Sequence, residues 1–197
     1  MNGRGVAQSG ATENAEDTAI VERGMLREFI ASIKKLNGVS IKLNKQESPP
    51  LPDFSCFLNE KNITVELTEF MDEKIIKEAK YIQATPEDPL CNQGLWFDTS
   101  EEWFHSILLK TINKKEKIYN RKQIYVDVLL VWNELVQLSL ENTNSWLGNF
   151  KVPELDNIGA IYFQSWYHPK YLARPTWSLI EHPDIGSVAP VLEPNAL

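Results

Sequence analysis

Apolar residues recur with two periods along this chain, and each change of period marks a new element. Between Asp17 and Leu36 they recur every three or four residues, which predicts an amphipathic helix that ends at Asn37-Gly38. The segment 39–43 alternates apolar and polar residues, which predicts a first strand. Two more strand-like runs, 51–58 and 62–68, are separated by a short polar connection suited to a hairpin. The first third of the chain therefore predicts one helix followed by three strands.

The rest of the chain changes between helical and strand-like segments. Helices are predicted over 71–83, 99–119 and 134–150, and strands over 124–132 and 157–166, with 176–180 as a last, peripheral strand. The predicted fold class is therefore α/β, a mixed central sheet flanked by helices in the order α-β-β-β-α-α-β-α-β. We expect one domain over residues 16–182, between a flexible N-terminal tail at 1–15 and a C-terminal tail at 183–197.

Two acidic residues interrupt the apolar runs of the hairpin. Glu66 lies between Val65 and Leu67, and strand alternation turns its side chain to the opposite face. A carboxylate inside an apolar strand is costly unless it is paired or binds a metal. Asp53 begins the neighbouring run, so the two acids can meet at one end of the hairpin. Two hard oxygen ligands on adjacent strands suit Mg²⁺ or Mn²⁺.

Pro52-Asp53 followed by Glu66-Leu67-Thr68 resembles the signature of the PD-(D/E)xK nuclease superfamily. That signature is an Asp, often after Pro, and then a strand that carries Glu, one apolar residue and Lys. The order of elements over residues 17–166 adds to the resemblance, which implies a restriction-endonuclease-like fold. It also implies a Mg²⁺- or Mn²⁺-dependent endonuclease, a hydrolase of phosphodiester bonds in DNA, with Asp53 and Glu66 as metal ligands. Proteins of this size and fold often pair to cut both strands, so a homodimer is an expectation.

Thr68 stands where the signature has its lysine, so this chain departs from the pattern of the superfamily. Some members carry that lysine on a following helix, where by resemblance it would hold the attacking water or the phosphate. Lys115 lies on an apolar stripe of the long predicted helix, and a lysine on an inward stripe needs a partner. Lys114 takes its place if the helix is rotated. The alternative for Lys115 is a lysine that extends to solvent at the end of the stripe.

Three further residues are candidates for supporting roles. Superfamily members often carry a Glu on the first helix that supports the metal shell, and both Glu22 and Glu28 occupy that helix here. Thr68 can hydrogen-bond a metal-bound water in place of the missing lysine. The alternatives are plain surface positions for the two glutamates and an ordinary strand position for the threonine.

The charge balance limits how this chain can meet nucleic acid. Its net charge is −7, from 20 basic and 27 acidic residues, which argues against a general nucleic-acid coat protein. A local basic run on the long predicted helix is nevertheless a candidate for docking nucleic acid, through Lys110, Lys117, Arg121 and Lys122. The alternative is a solvated helix face.

The remaining features predict a cytoplasmic protein without membrane partners. No apolar run reaches transmembrane length, and the N-terminal segment has no signal-peptide core. The two cysteines and three histidines match no disulfide framework and no zinc spacing. One alternative to an enzyme is a catalytically inactive binding or regulatory protein on the same fold, which the missing strand lysine and the acidic balance favour. Another alternative is a metal-independent scaffold in which Glu66 forms a salt bridge with a core-facing lysine.

Overall fold

The computed structural model describes residues 15–72, 77, 99–135, 137–168 and 174–190. The helices and strands within these ranges are α1 (Ala15–Asn37), β1 (Ile41–Gln46), β2 (Phe54–Leu58), β3 (Lys61–Glu69), α2 (Glu101–Lys122), β4 (Val126–Trp132), α3 (Leu140–Asn149), β5 (Ile158–Gln164) and β6 (Thr176–Ile180). Most of the helix predicted over 71–83 lies outside the described residues, as do 1–14 and 191–197 of the predicted tails. None of the described helices is long and apolar enough to cross a membrane.

One mixed sheet contains these six strands, in the spatial order β1-β2-β3-β4-β5-β6. The pairs β1–β2, β2–β3 and β5–β6 are antiparallel, whereas β3–β4 and β4–β5 are parallel. β4 is rich in Val and Leu, and β5 is rich in Ile and aromatic residues, because both strands bury side chains against helices on the two faces of the sheet. The predicted α/β class and the mixed sheet flanked by helices are thus confirmed.

A two-residue turn sets the register of the β2–β3 hairpin. Asn59 and Glu60 connect the strands with φ angles of 47° and 68°, the left-handed conformation that such a turn needs at both positions. Phe54, the first residue of β2, pairs with Val65 of β3. The residue before β2 is therefore level with the residue after Val65, which sets the two candidate acids next to each other.

Side-chain alternation builds one core on each face of the sheet. On one face, α1 contributes Phe29 to a core that contains Val65. On the other face, α2 contributes Leu108 to a core that contains Leu129. Glu66 follows Val65 and pairs with Leu129, so its buried side chain points to the face that α2 covers. An acid in this position needs a partner from the helix above it.

The helix α3 begins later than the apolar pattern predicts, at Leu140 instead of Glu134. Two polar side chains organise the preceding loop. The Asn133 side chain accepts a hydrogen bond from the backbone two residues on, at 2.8 Å, and Ser139 caps the helix by accepting one from the backbone three residues on, at 3.1 Å. Apolar spacing does not reveal such competition between side chains and the helical backbone.

Part of the predicted C-terminal tail packs against the core. Ile185 and Val188 are buried. Asn37, at the end of α1, donates from Nδ2 to the carbonyl oxygens of Ile185 and Ser187 at 2.7 and 2.9 Å. Residues 183–190 therefore close one side of the core beside α1. This segment shows no apolar periodicity because it is a loop, held in place by hydrogen bonds to its backbone carbonyl oxygens.

Candidate functional site

The candidate site lies where β2 and β3 part. β2 begins at Phe54, whereas β3 continues to Glu69 beside β4. Asp53 stands at this fork, and its Oδ2 accepts a hydrogen bond from the backbone N–H of Leu67 at 2.8 Å. The backbone N–H of Asp53 donates to Glu66 Oε2 at 3.1 Å. The Asp53 carboxylate thus accepts a hydrogen bond from a β3 backbone N–H that has no partner on β2, because the β2–β3 pairing ends at Phe54 and Val65. This contact holds the Asp53 carboxylate beside Glu66.

Lys115 reaches the acid pair from α2. Its Nζ forms a hydrogen-bonded ion pair with Glu66 Oε1. The side chain of Glu66 is 5% exposed and that of Lys115 is 22% exposed, so the ammonium compensates a buried carboxylate. Lys114, the alternative candidate, is exposed at the surface. The structure therefore brings Asp53, Glu66 and Lys115 together and leaves Lys114 outside this cluster.

Tyr119 completes the surroundings of Glu66, and the sequence analysis missed it. This buried residue lies one turn after Lys115, and its hydroxyl hydrogen-bonds the Glu66 carboxylate. Burial, followed by the hydrogen bond and charge of Glu66, raises the pKa of the Tyr119 phenol, which therefore stays a neutral donor. The available signal was the spacing of four residues from Lys115, which puts both side chains on one helix face.

Negative charge exceeds positive charge among the groups that meet here. Burial raises the pKa of Asp53 to about 7, the Glu66 carboxylate adds to the rise, and the N–H of Leu67 opposes it. Burial, and then Glu66, also raises the pKa of Glu22 on α1. These three carboxylates share the ammonium of Lys115. The cluster therefore favours uptake of a further cation or of a proton.

A cavity of about 250 Å³ opens beside the acid pair, between α1 and the end of β3. Its described lining consists of Thr18, Val21, Glu22, Leu67, Thr68, Glu69, Lys115 and Trp132. Two predicted supporting residues, Glu22 and Thr68, thus lie next to the predicted catalytic Lys115. A water molecule takes up about 30 Å³ in the liquid, so a hydrated ion or a phosphate group fits this space.

Glu28, the other candidate on α1, makes a different contact. It forms an ion pair with Arg174 Nε at 2.5 Å, and Glu134 binds the same guanidinium at 2.6 Å. Arg174 is buried, so these two acids compensate its charge. The structure brings Glu22 to the candidate site and Glu28 to this separate ion pair.

The predicted docking residues are all exposed on α2: Lys110, Lys117, Arg121 and Lys122. Lys110, Lys117 and Arg121 are seven and four residues apart, so they lie on one stripe of the helix. Lys122 lies seven residues after Lys115, so these two lysines share a helix face. The basic run therefore extends from the outer surface of α2 to the flank that borders the candidate site.

The donor set fits one class of metal ion better than others. Within the residues that the structure describes, no group of three or more His, Cys, Asp and Glu side chains is arranged to hold a metal. Asp53 and Glu66 offer two carboxylates. Mg²⁺ is commonly bound through one or two carboxylates, with water and substrate phosphates as its other ligands. The pair therefore fits Mg²⁺ or Mn²⁺ bound together with substrate, and it does not fit an all-protein cage.

Comparison of the chain with models of protein families, with curated proteins and with solved structures found no match. The chemistry of the site itself therefore carries the functional conclusion.

The raised pKa of Asp53 predicts that stability depends on pH. Its carboxyl titrates near 7 in the folded protein, against an ordinary value of 3.8. Between these values the folded state holds a proton that the unfolded state has lost, so stability falls as pH rises through this window. Above about pH 7 the stabilisation from this proton is gone. Urea unfolding in EDTA should therefore show a lower midpoint at about pH 8 than at about pH 5.

Asp53→Asn is the control for this pH dependence. Asparagine keeps an acceptor for the Leu67 N–H but carries no titrating group. Its urea midpoint should change less with pH than that of the wild type, and equal changes would contradict the role given to Asp53. If Asp53 binds Mg²⁺, the ion should raise the wild-type midpoint more at alkaline than at acid pH, because ion and proton would compete for the carboxylate.

Proposed function

We propose that this protein is a metal-dependent nuclease of the PD-(D/E)xK type that hydrolyses phosphodiester bonds in DNA. One observation carries the proposal: Asp53 and Glu66 meet at the fork between β2 and β3, and Lys115 reaches them from a helix. A pair of acids, with Glu66 buried and Asp53 half-buried, and an ammonium beside it supply the groups that metal-assisted phosphodiester hydrolysis needs. The lysine comes from α2 instead of from the strand that carries Glu66.

The acid pair would hold a Mg²⁺ or Mn²⁺ ion. When bound, such an ion lowers the pKa of water and offsets the charge that grows on the scissile phosphate. The N–H of Leu67 holds Asp53, while Lys115 and Tyr119 hold Glu66. Both carboxylates are therefore oriented before an ion arrives, which lowers the cost of assembling the site.

Lys115 has two tasks in this proposal. Without substrate it balances the charge of Glu66. With substrate, its position on the cavity wall lets the ammonium bind a phosphate oxygen or orient the attacking water. Thr68 lines the same cavity, where its hydroxyl can hydrogen-bond a water molecule. A lysine from the helix thus takes the task of the lysine that the strand lacks.

The basic run on α2 supports a nucleic-acid substrate. Lys110, Lys117, Arg121 and Lys122 place four positive charges on one helix of a chain whose net charge is −7. Clustered cations of this kind neutralise backbone phosphates and steer a polyanion toward the site. The local balance of charge therefore favours a polymer over a small phosphodiester.

A non-catalytic binding or regulatory protein on the same fold is the second candidate. Lys115 already neutralises Glu66, and Thr68 occupies the lysine position of the signature. Two carboxylates, instead of a complete ligand set, are what the described part of the chain offers to a metal. Such a protein would use the cavity and the basic run to bind a partner without hydrolysing it.

Incubation with a panel of substrates separates the two candidates. The purified protein would be offered supercoiled, linear and single-stranded DNA, and RNA, in Mg²⁺ or Mn²⁺, with an EDTA lane beside each. The nuclease proposal predicts cleavage of DNA that EDTA abolishes. Intact substrates in every lane with both metals would contradict it and would favour the non-catalytic protein.

Glu22→Gln is expected to lower the cleavage rate about 10- to 100-fold, whereas Glu28→Gln should change it less than about threefold. Glu22 lines the cavity and interacts with Glu66, while Glu28 pairs with Arg174. Both changes remove one negative charge from the same helix, so they form a matched pair. Initial cleavage rates at equal protein concentration measure the effect. Equal losses in the two variants would refute the role of Glu22.

A further inference from the structure

The sheet face that carries Glu66 has exposed residues on its outer strands, Lys42 and Asn44 of β1 and Phe57 of β2. Alternation along β2 places Phe57 on this face, because Phe54 and Cys56 belong to the core beneath α1. Phe57 is 39% exposed although it lies within a strand, and its partner on β1, Lys42, is exposed as well. This open face therefore presents an aromatic ring beside a lysine.

An open cavity of about 490 Å³ lies over this ring. Its described lining is Ser40, Lys42, Phe57, Asn59 and Glu60. On the other side of Phe57, Asn62 of β3 pairs with it across the hairpin. An aromatic surface with amide, ammonium and carboxylate groups around it suits a flat, polar ligand such as a nucleobase, which both donates and accepts hydrogen bonds.

The polar side chains between this cavity and the candidate site hold one another in place. Asn44 Nδ2 donates to Ser55 Oγ at 3.2 Å, and Ser55 Oγ donates to Asn62 Oδ1 at 3.1 Å. Thr64 donates to Asp127 Oδ2 through its N–H and its hydroxyl, both at 2.7 Å. These contacts give the open face an ordered floor, which reduces the entropy lost when a ligand lies on it.

The floor leads along β3 to the candidate site. Asn62 and Thr64 precede Glu66 by four and two residues, so the three side chains share one face. At about 3.3 Å per residue, Asn62 lies roughly 13 Å from Glu66. A nucleic-acid strand with one phosphate at Glu66 therefore reaches Phe57 within a few nucleotides.

Tyr125 adds a second aromatic ring on this side of the sheet. It lies just before β4 and is 56% exposed. Asp127, two residues on, meets Thr64 on the open face, so Tyr125 lies on the same side. The Tyr125 ring extends over Gly159 of β5. Any larger residue there would clash with it, because a Cβ at position 159 would lie 2.3 Å from the Tyr125 hydroxyl.

Two exposed lysines flank the open face. Lys42 lies on the β1 side. On the α2 side, Lys122 lies on the same helix face as Lys115. The opposite flank of α2 faces the start of β5, where Glu116 accepts a hydrogen bond from the backbone N–H of Asn157 at 3.2 Å. Lys42 and Lys122 are thus exposed cations at the two sides of the floor, suited to backbone phosphates.

We propose, building on the nuclease function above, that this open face binds single-stranded DNA, with one base stacked on Phe57 and the backbone beside Lys42 and Lys122. A single strand exposes the faces of its bases, whereas a duplex hides them in its own stack. The exposed rings, the flanking cations and the direct path to Glu66 match a single strand. The open face would therefore guide one strand into the candidate site.

Fluorescence anisotropy with a labelled oligodeoxythymidylate in EDTA tests this binding without cleavage. Phe57→Ala should weaken the affinity about 5- to 100-fold, because stacking on an aromatic side chain supplies much of single-strand affinity. Phe57→Trp should keep or increase it. Leu109→Ala is the matched control, because Leu109 on α2 is also 39% exposed. Its removal should change Kd less than about twofold.

Three results would overturn the proposal: an unchanged Kd in Phe57→Ala, an equal loss for a duplex of the same length, or no binding of the single strand at all. Melting temperatures of the variants show that each is folded. The binding assay also separates this inference from the nuclease function. Binding that depends on Phe57 in a protein that cleaves no substrate would support the single-strand surface and refute the nuclease function. Cleavage together with binding that does not depend on Phe57 would support the nuclease function and refute the single-strand surface.

Discussion

Replacing Glu66 by glutamine is expected to lower metal-dependent cleavage about 100- to 1,000-fold. Glutamine keeps the shape of the side chain and offers no negative charge to an ion, and its single amide oxygen can replace only part of the acceptors that Glu66 presents to Lys115, Tyr119 and the N–H of Asp53. The fold should therefore persist with a somewhat lower stability, while the activity disappears. Initial rates over a titration of Mg²⁺ or Mn²⁺ measure the loss, and circular dichroism checks the fold.

Glu116→Gln is the matched control for this substitution. Glu116 lies on α2 and accepts hydrogen bonds from the backbone N–H groups of Asp156 and Asn157 at 3.1 and 3.2 Å. Glutamine can keep these bonds, so cleavage should stay within about twofold of the wild type. Cleavage that survives Glu66→Gln would place the activity at another site or in a contaminant.

Lys115→Ala is expected to reduce both cleavage and stability. It leaves the buried Glu66 carboxylate beside Asp53 without its ion-pair partner. Removing one partner of a buried pair costs about 3–5 kcal/mol, and the partial exposure of Lys115 lowers the expected loss to about 2 kcal/mol. Cleavage should fall at least about 100-fold, since nothing then holds the phosphate or the water at this wall of the cavity. Urea unfolding at alkaline pH and initial rates measure the two effects.

Lys114→Ala supplies the neighbouring control. Lys114 is exposed, so its removal should cost less than about 0.5 kcal/mol and change cleavage less than about threefold. The reverse pattern, with Lys114 essential and Lys115 dispensable, would contradict the assignment. In the double variant Lys115→Ala with Glu66→Gln, part of the lost stability should return, because the buried Glu66 charge is removed together with its partner.

The acid pair was predictable because it depends on contacts that are local in the sequence. Alternation around Glu66 and the position of Asp53 at the start of its run predicted two acids at one end of a hairpin, and a two-residue turn places them there. Helical periodicity likewise turned Lys115 toward the sheet. In both cases, the regular geometry of a strand or a helix is enough to predict from the sequence spacing which way a side chain points.

Relations between distant elements were not predictable in the same way. Glu22 and Glu28 lie on one helix, and where α1 crosses the sheet decides which of them meets Glu66 and which meets Arg174. That crossing depends on the packing of residues such as Phe29 in the core, which periodicity does not specify. An apolar pattern shows which face of a helix is buried, but not what the polar residues at its margin contact.

Binding of Mn²⁺ is the most direct test of the central claim, that Asp53 and Glu66 together hold a divalent ion. A titration followed by electron paramagnetic resonance needs no substrate, so a narrow sequence requirement does not obscure it. One Mn²⁺ should bind to the wild type and to Glu116→Gln, and the affinity should fall at least about tenfold in Asp53→Asn and Glu66→Gln. Equal binding by all four proteins, or no binding by the wild type, would contradict the claim.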